Sequence, residues 1–205
     1  CAQNGGIYRY SFQNGELIFK DKTPLNRPMY AIIRENKLYV ILREIDEATH
    51  FGGLLSFDID ENRRLINPTK IESTNGIVPC YLEVTSSGCY VVNYLSGNVV
   101  RIGERVVTHN GKSVHSTRQE APHTHFVCES PDKKYIVLTD LGLDKIFIYD
   151  KNLNEIYFVK MPNGSGPRHL CFSQDGRYFY CVNLYYIPII INITFRFISS
   201  FNHYA

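Results

Sequence analysis

The sequence predicts an all-β chain of the β-propeller class, and three observations predict it. A unit recurs along the 205 residues, marked by Pro28, Pro79, Pro122 and Pro167 at spacings of 51, 43 and 45. A period near 45 residues is that of a four-stranded propeller blade. Inside each unit, short stretches rich in Tyr and β-branched residues alternate in polarity and end at Asn-Gly, Ser-Gly or Asp-Gly turns, which is the pattern of strands and hairpins. No stretch keeps helical periodicity over three turns.

In chain order, strands at 6–12 and 16–20 flank the turn Asn14-Gly15 and read as the outer half of a blade. The first full unit runs from Pro28-Met29-Tyr30 through strands at 28–33 and 37–41, then 54–59, to the polar turn Asp60-Glu61-Asn62. The second has strands at 79–84 and 90–93 around Ser87-Gly88. From Gly88 to Asn93 is five positions, against seven from Gly176 to Asn183, so a shortened second strand or a local sequence oddity is expected here. The third unit supplies strands at 122–127, 135–139, 145–150 and 155–159, and the fourth supplies 167–172 and 178–183. The count is an outer half-blade, three blades and an inner half-blade.

From Tyr185 to Ala205 the repeat stops and the composition shifts to Ile, Tyr, Phe and Asn. A membrane span needs about 20 apolar residues, and this run is broken by Pro188, Asn192 and Arg196. It reads as an aberrant continuation outside the fold, which leaves residues 1–184 as the partial propeller. The chain opens at Cys1 with neither Met nor signal peptide before the first strand, so a piece of a longer protein is expected, in a cytoplasmic setting.

The formal net charge of +2 gives no electrostatic reason to expect nucleic acid or an anionic membrane as partner. The 44% hydrophobic content suits a packed domain. Six cysteines include no CxxC pair. Cys80, Cys128, Cys171 and Cys181 sit in apolar strand-like runs and read as small buried hydrophobes. Asp140 and Asp144 flank Leu141-Gly142-Leu143 and read as turn formers. His50, His109, His115 and His203 fall in loops or the tail and carry no functional expectation.

The residues with a chemical reading cluster between 119 and 183. His123 and His125 are two apart, which on a strand gives them one face. Arg168 and His169 are adjacent, so a regular strand would turn them opposite ways. Inner strands of a propeller line its channel, where such groups converge from neighbouring blades. A His serves as general base near neutral pH, and an Arg grips a small anion or an oxyanion. A structural His pair, or a metal site, is the competing reading of His-x-His. No third ligand at helpful spacing supports a metal.

Three segments then carry a resemblance: Gln119-Glu120-Ala121-Pro122-His123-Thr124-His125, Thr139-Asp140-Leu141-Gly142-Leu143-Asp144-Lys145-Ile146 and Gly166-Pro167-Arg168-His169-Leu170. Together they resemble the lactonase family of seven-bladed β-propellers over residues 6–183, of which about four blades would be present here. The resemblance implies a lactone hydrolase acting on a small anionic sugar lactone, 6-phosphogluconolactone foremost, in the pentose phosphate route. No cofactor and no metal are implied, and a monomer is expected at full length. The implied catalytic residues are His123 or His125 and Arg168, with Arg168 and His169 binding substrate. A carboxymuconate-type lactonising cyclase and a non-catalytic binding propeller stay open beside that reading. The family's acid follows a Val-Asn pair. After Val182-Asn183 this chain has Leu184, so the chain as it stands is expected to be inactive, and an open arc of blades to be poorly soluble.

Overall fold

The computed structural model describes residues 5–185. Strands β1 (Gly6–Gln13) and β2 (Glu16–Pro24) form a hairpin around Asn14-Gly15. Both turn residues have positive φ, at 50° and 85°, which matches the twist of the flanking strands. The first blade is an antiparallel sheet of β3 (Pro28–Arg34), β4 (Lys37–Leu42) and β5 (Phe51–Ile59). Its outermost position is shared by β6 (Leu65–Ile66) and β7 (Glu72–Ile77), both paired to β5. The second blade orders β8 (Pro79–Thr85), β9 (Gly88–Asn93), β10 (Asn98–Arg101) and β11 (Arg105–Thr108) from the inside out. The third orders β12 (Thr124–Glu129), β13 (Ile136–Asp140), β14 (Lys145–Tyr149) and β15 (Glu155–Lys160). The inner hairpin β16 (Pro167–Phe172) and β17 (Phe179–Asn183) follows. The expected half-blade, three blades and half-blade are all present. Residues 186–205, where the aberrant tail was expected, lie outside the described residues.

Strand alternation explains how the blades stack. On β9, Tyr90 and Val92 join Val99, Val127, Ile136, Leu138, Phe147 and Tyr149 in a core between blades two and three. Val91, pointing the other way, packs with Ile41, Leu54 and Leu82 between blades one and two. Phe126, Val137, Ile146, Ile148 and Val159 meet Leu170, Phe179 and Cys181 of the last hairpin. Ile7 and Leu25 dock the first hairpin on Val40, Leu42, Leu55 and Phe57. Blades one to three thus bury both faces of their sheets, whereas among the described residues the outer surfaces of the two end hairpins stay bare. Tyr8, Tyr10, Phe12, Leu17 and Phe19 are exposed at one end, and Val182 and Leu184 at the other.

The structure corrects three expectations. The residue equivalent to Pro28, Pro79 and Pro167 is Thr124 and not Pro122: these four face Leu42, Asn93, Asn183 and Asp140 at the ends of the second strands. The second strand of blade two is not shortened. β9 is a full strand, and the missing residues come from its hairpin, which closes Thr85 onto Gly88 where β16 and β17 close Phe172 onto Phe179. Cys171 is exposed, while Cys181 is buried and Cys80 and Cys128 are half-buried; Cys171 stands on an uncovered face of the last hairpin.

Candidate active site

Every innermost strand carries a β-bulge at the same place. The register skips Met29 between Pro28 and Tyr30, Cys80 between Pro79 and Tyr81, His125 between Thr124 and Phe126, and Arg168 between Pro167 and His169. A bulge sets one residue free of the ladder and re-aims its side chain. His125 and Arg168 are therefore the same position in neighbouring blades, and they meet: Arg168 Nε donates to His125 Nε2 at 3.1 Å. The residues after the bulge form a second tier of rings. Tyr30 stacks on Tyr81 at 4.3 Å, Tyr81 lies 4.5 Å from Phe126, and Phe126 lies 5.5 Å from His169. The His169 ring is also 5.1 Å from that of His125. Arg168 and His169 thus do not diverge as alternation predicts, because the bulge at Arg168 cancels it.

The two histidines of His-x-His have different surroundings. His123 precedes β12 and is buried. Its ring stacks on Tyr94 at 4.4 Å, Nδ1 faces the Tyr94 carbonyl at 3.0 Å, and Nε2 faces Glu120 at 3.3 Å. Both nitrogens are engaged, and the ring serves to hold the strand entrance. His125 touches the edge of the same Tyr94 ring at 5.9 Å. Since its Nε2 accepts from Arg168, its proton resides on Nδ1, a buried atom without a partner. Burial, with the charges of Arg168 and His169 adding to it, lowers the His125 pKa to about 4. Burial and Arg168 lower that of His169 as well. No carboxylate pairs with Arg168 among the described residues. At position 184 the side chain is that of Leu184, whose amide donates to the Gly166 carbonyl.

The surrounding loops are held by buried carboxylates. Asp140 Oδ1 accepts from the amides of His123 and Leu143 at 2.9 and 3.1 Å, and Oδ2 faces His109 Nδ1 at 2.6 Å. His109 Nε2 in turn meets the Tyr149 hydroxyl at 2.8 Å. His109 is thus a buried clamp, which a loop assignment from sequence missed. Asp144 accepts from the Gly164 and Gly166 amides at 2.6 and 2.7 Å and from Gln119 Nε2 at 2.7 Å. Those bonds fix the loop that delivers Pro167-Arg168. Asp140 and Asp144 do shape the turn between them, as expected, and also tie it to both neighbouring segments. Gly142 is forced: a Cβ there would lie 1.9 Å from the Ala121 carbonyl oxygen. Sequence reasoning also missed Tyr94. Its signal was available, since Tyr94 follows Asn93 as Leu184 follows Asn183.

The described residues contain no group of three or more His, Cys, Asp or Glu arranged to hold a metal ion, and no helix among them is long and apolar enough to cross a membrane. The channel instead offers an uncompensated guanidinium against a neutral imidazole, with rings beside them. That defines a propeller with a site suited to small anions at its inner strands. The family described as lactonase, seven-bladed β-propeller, matches residues 2–183, and the chain belongs to it. Among its relatives, a Staphylococcus epidermidis protein is 31% identical over 199 residues, covering 87% of this chain and 56% of that protein. The 6-phosphogluconolactonase of Bacillus subtilis is 30% identical over 193 residues, covering 85% and 54%. A periplasmic gluconolactonase of Pseudomonas aeruginosa superposes with a TM-score of 0.76 at 27% identity, covering 89% and 58%. A Bacteroides fragilis structure with a TM-score of 0.79 is 23% identical and covers 95% and 63%, which shows the fold alone. The chain spans about half the length of the curated relatives it matches.

Proposed function

We propose that this site hydrolyses a sugar lactone of the 6-phosphogluconolactone type, with His125 as general base and Arg168 as the group that binds the anion and stabilises the oxyanion. The observation that carries the reading is the direct Arg168–His125 contact between neighbouring blades. The His125 Nε2 lone pair accepts from Arg168. A substrate oxygen that draws the guanidinium toward itself releases that lone pair. Anionic charge beside Arg168 also offsets the cation that depresses the imidazole, so His125 gains basicity as substrate arrives. Water then adds to the lactone carbonyl carbon and gives its proton to Nε2. Arg168 stabilises the tetrahedral oxyanion, the ring C–O bond breaks, and the leaving alkoxide takes the proton back from Nε2. The product is the open-chain acid. His169 lines the site beside His125, and His123 positions the strand entrance without reaching the reacting atoms.

Lactone hydrolysis by the chain carrying Leu184→Glu, which restores the acid that the family resemblance implies, tests the reading. The expected result is hydrolysis of 6-phosphogluconolactone above the spontaneous rate, falling at least about a hundredfold in Arg168→Ala and in His125→Ala, as for loss of an oxyanion partner or a general base. No rate above the spontaneous one would sink it.

A further inference from the structure

Arg118 lies on the segment between β11 and β12, which is pinned along its length. The buried Gln119 side chain donates to the Leu141 carbonyl at 2.9 Å and to Asp144 at 2.7 Å, and its Oε1 accepts from the His115 amide at 3.2 Å. Ser113 Oγ donates to Asp144, and His109 is clamped as described. The placement of Arg118 is therefore built into the fold.

Arg118 Nε donates to the Tyr185 hydroxyl at 3.1 Å, and the guanidinium lies 5.7 Å over the Tyr185 ring. Its two terminal nitrogens make no hydrogen bond or ion pair among the described residues. Glu120, the nearby carboxylate, is turned to His123. The charge of Arg118 acts on the Tyr94 hydroxyl, where it opposes the rise that burial causes. Tyr94 is the ring that His125 abuts. Tyr185, which holds Arg118, lies against Gly166, two residues ahead of Arg168. Arg118 on its pinned loop and Arg168 on its inner-strand bulge are thus two guanidiniums without carboxylate partners among the described residues, linked through Tyr185.

We infer that Arg118 is a specificity-determining residue that receives the phosphate arm of a phosphorylated sugar acid or lactone while Arg168 holds the carboxylate or lactone end. A planar guanidinium with both terminal nitrogens free matches a phosphate dianion in a two-pronged contact. Anchorage through Nε to Tyr185 removes part of the ordering cost. This inference rests on the lactone reading for the ligand's other end but not for the phosphate contact itself.

Titration calorimetry of the chain with 6-phosphogluconate, gluconate and glycerol 3-phosphate tests it, using Arg118→Ala, Arg118→Lys, Tyr185→Phe and Arg168→Ala. Thermal melting checks that each variant is folded. The expected result is a preference for 6-phosphogluconate over gluconate that falls about tenfold in Arg118→Ala, the size of one charge-assisted contact, and less in Arg118→Lys and Tyr185→Phe. Glycerol 3-phosphate should weaken in Arg118→Ala and hold in Arg168→Ala. An unchanged preference in Arg118→Ala, or no preference for phosphorylated ligands in the parent chain, would overturn the inference and leave the lactone reading standing. Arg118-dependent phosphate binding without lactone hydrolysis would uphold the inference and remove the lactone reading.

Discussion

His125 is the residue whose surroundings make the most specific demand on solution behaviour. Its pKa in the fold, about 4, lies below the ordinary imidazole value, so the unfolded chain binds the extra proton first as pH falls. The neutral, Arg168-paired state therefore contributes full stability above about pH 6.5 and loses it progressively toward pH 4. His169 is shifted the same way and adds to the trend. Thermal melting from pH 7 to pH 4 should show a decline that His125→Gln makes shallower by about 2 kcal/mol; parallel curves for the two proteins would refute the assignment. At this scale the sequence was partly legible. His125, Arg168 and His169 were identifiable from their motifs, yet the division of labour between His123 and His125 was not. Nothing in His-x-His announces that one ring will stack on Tyr94 with both nitrogens occupied while the other keeps a buried nitrogen unpaired.

The inner strands and the loops feeding them set the site's geometry. Gly142 lets the turn after β13 press on the chain just ahead of His123, and the backbone there has no room for a methyl group. Gly142→Ala should destabilise the fold by about 2 kcal/mol, the usual cost of forcing an extra carbon into packed surroundings, as read from its urea midpoint. Asp144→Ala would strand the amides of Gly164 and Gly166 and the side chain of Gln119. Buried donors without acceptors cost about 1–3 kcal/mol each. The variant should also be cut faster by protease between residues 109 and 119 and near residue 164. An unchanged midpoint and an unchanged cleavage pattern would show that these bonds do not hold the loops. Strands and turns were legible because alternation and turn residues are local signals. The bulges were not: a one-residue offset leaves the composition of Pro167-Arg168-His169 looking like any strand. The misplaced third repeat followed from the same blindness, since Pro122 imitates by residue type a position that pairing gives to Thr124.

At the scale of the molecule, the order of blades was readable because each repeat buries its faces only by stacking on its neighbours. Among the described residues, the hairpins at the two ends have one face each left over. Phe12 and Leu17 are 72% and 70% exposed on the first of them, and apolar surface of that kind associates. Light scattering should show association that grows with protein concentration and recedes in a Phe12→Lys, Leu17→Glu double variant; a monodisperse parent chain would contradict this.

The recurrent bulge has a wider consequence. Met29, Cys80, His125 and Arg168 occupy one address repeated around the inner rim, and none of them takes part in the pairing that builds its sheet. The scaffold therefore keeps its architecture and its chemistry in separate alphabets. Each blade contributes a single interchangeable letter, so the groups presented along the rim can be revised one at a time without rewriting the fold.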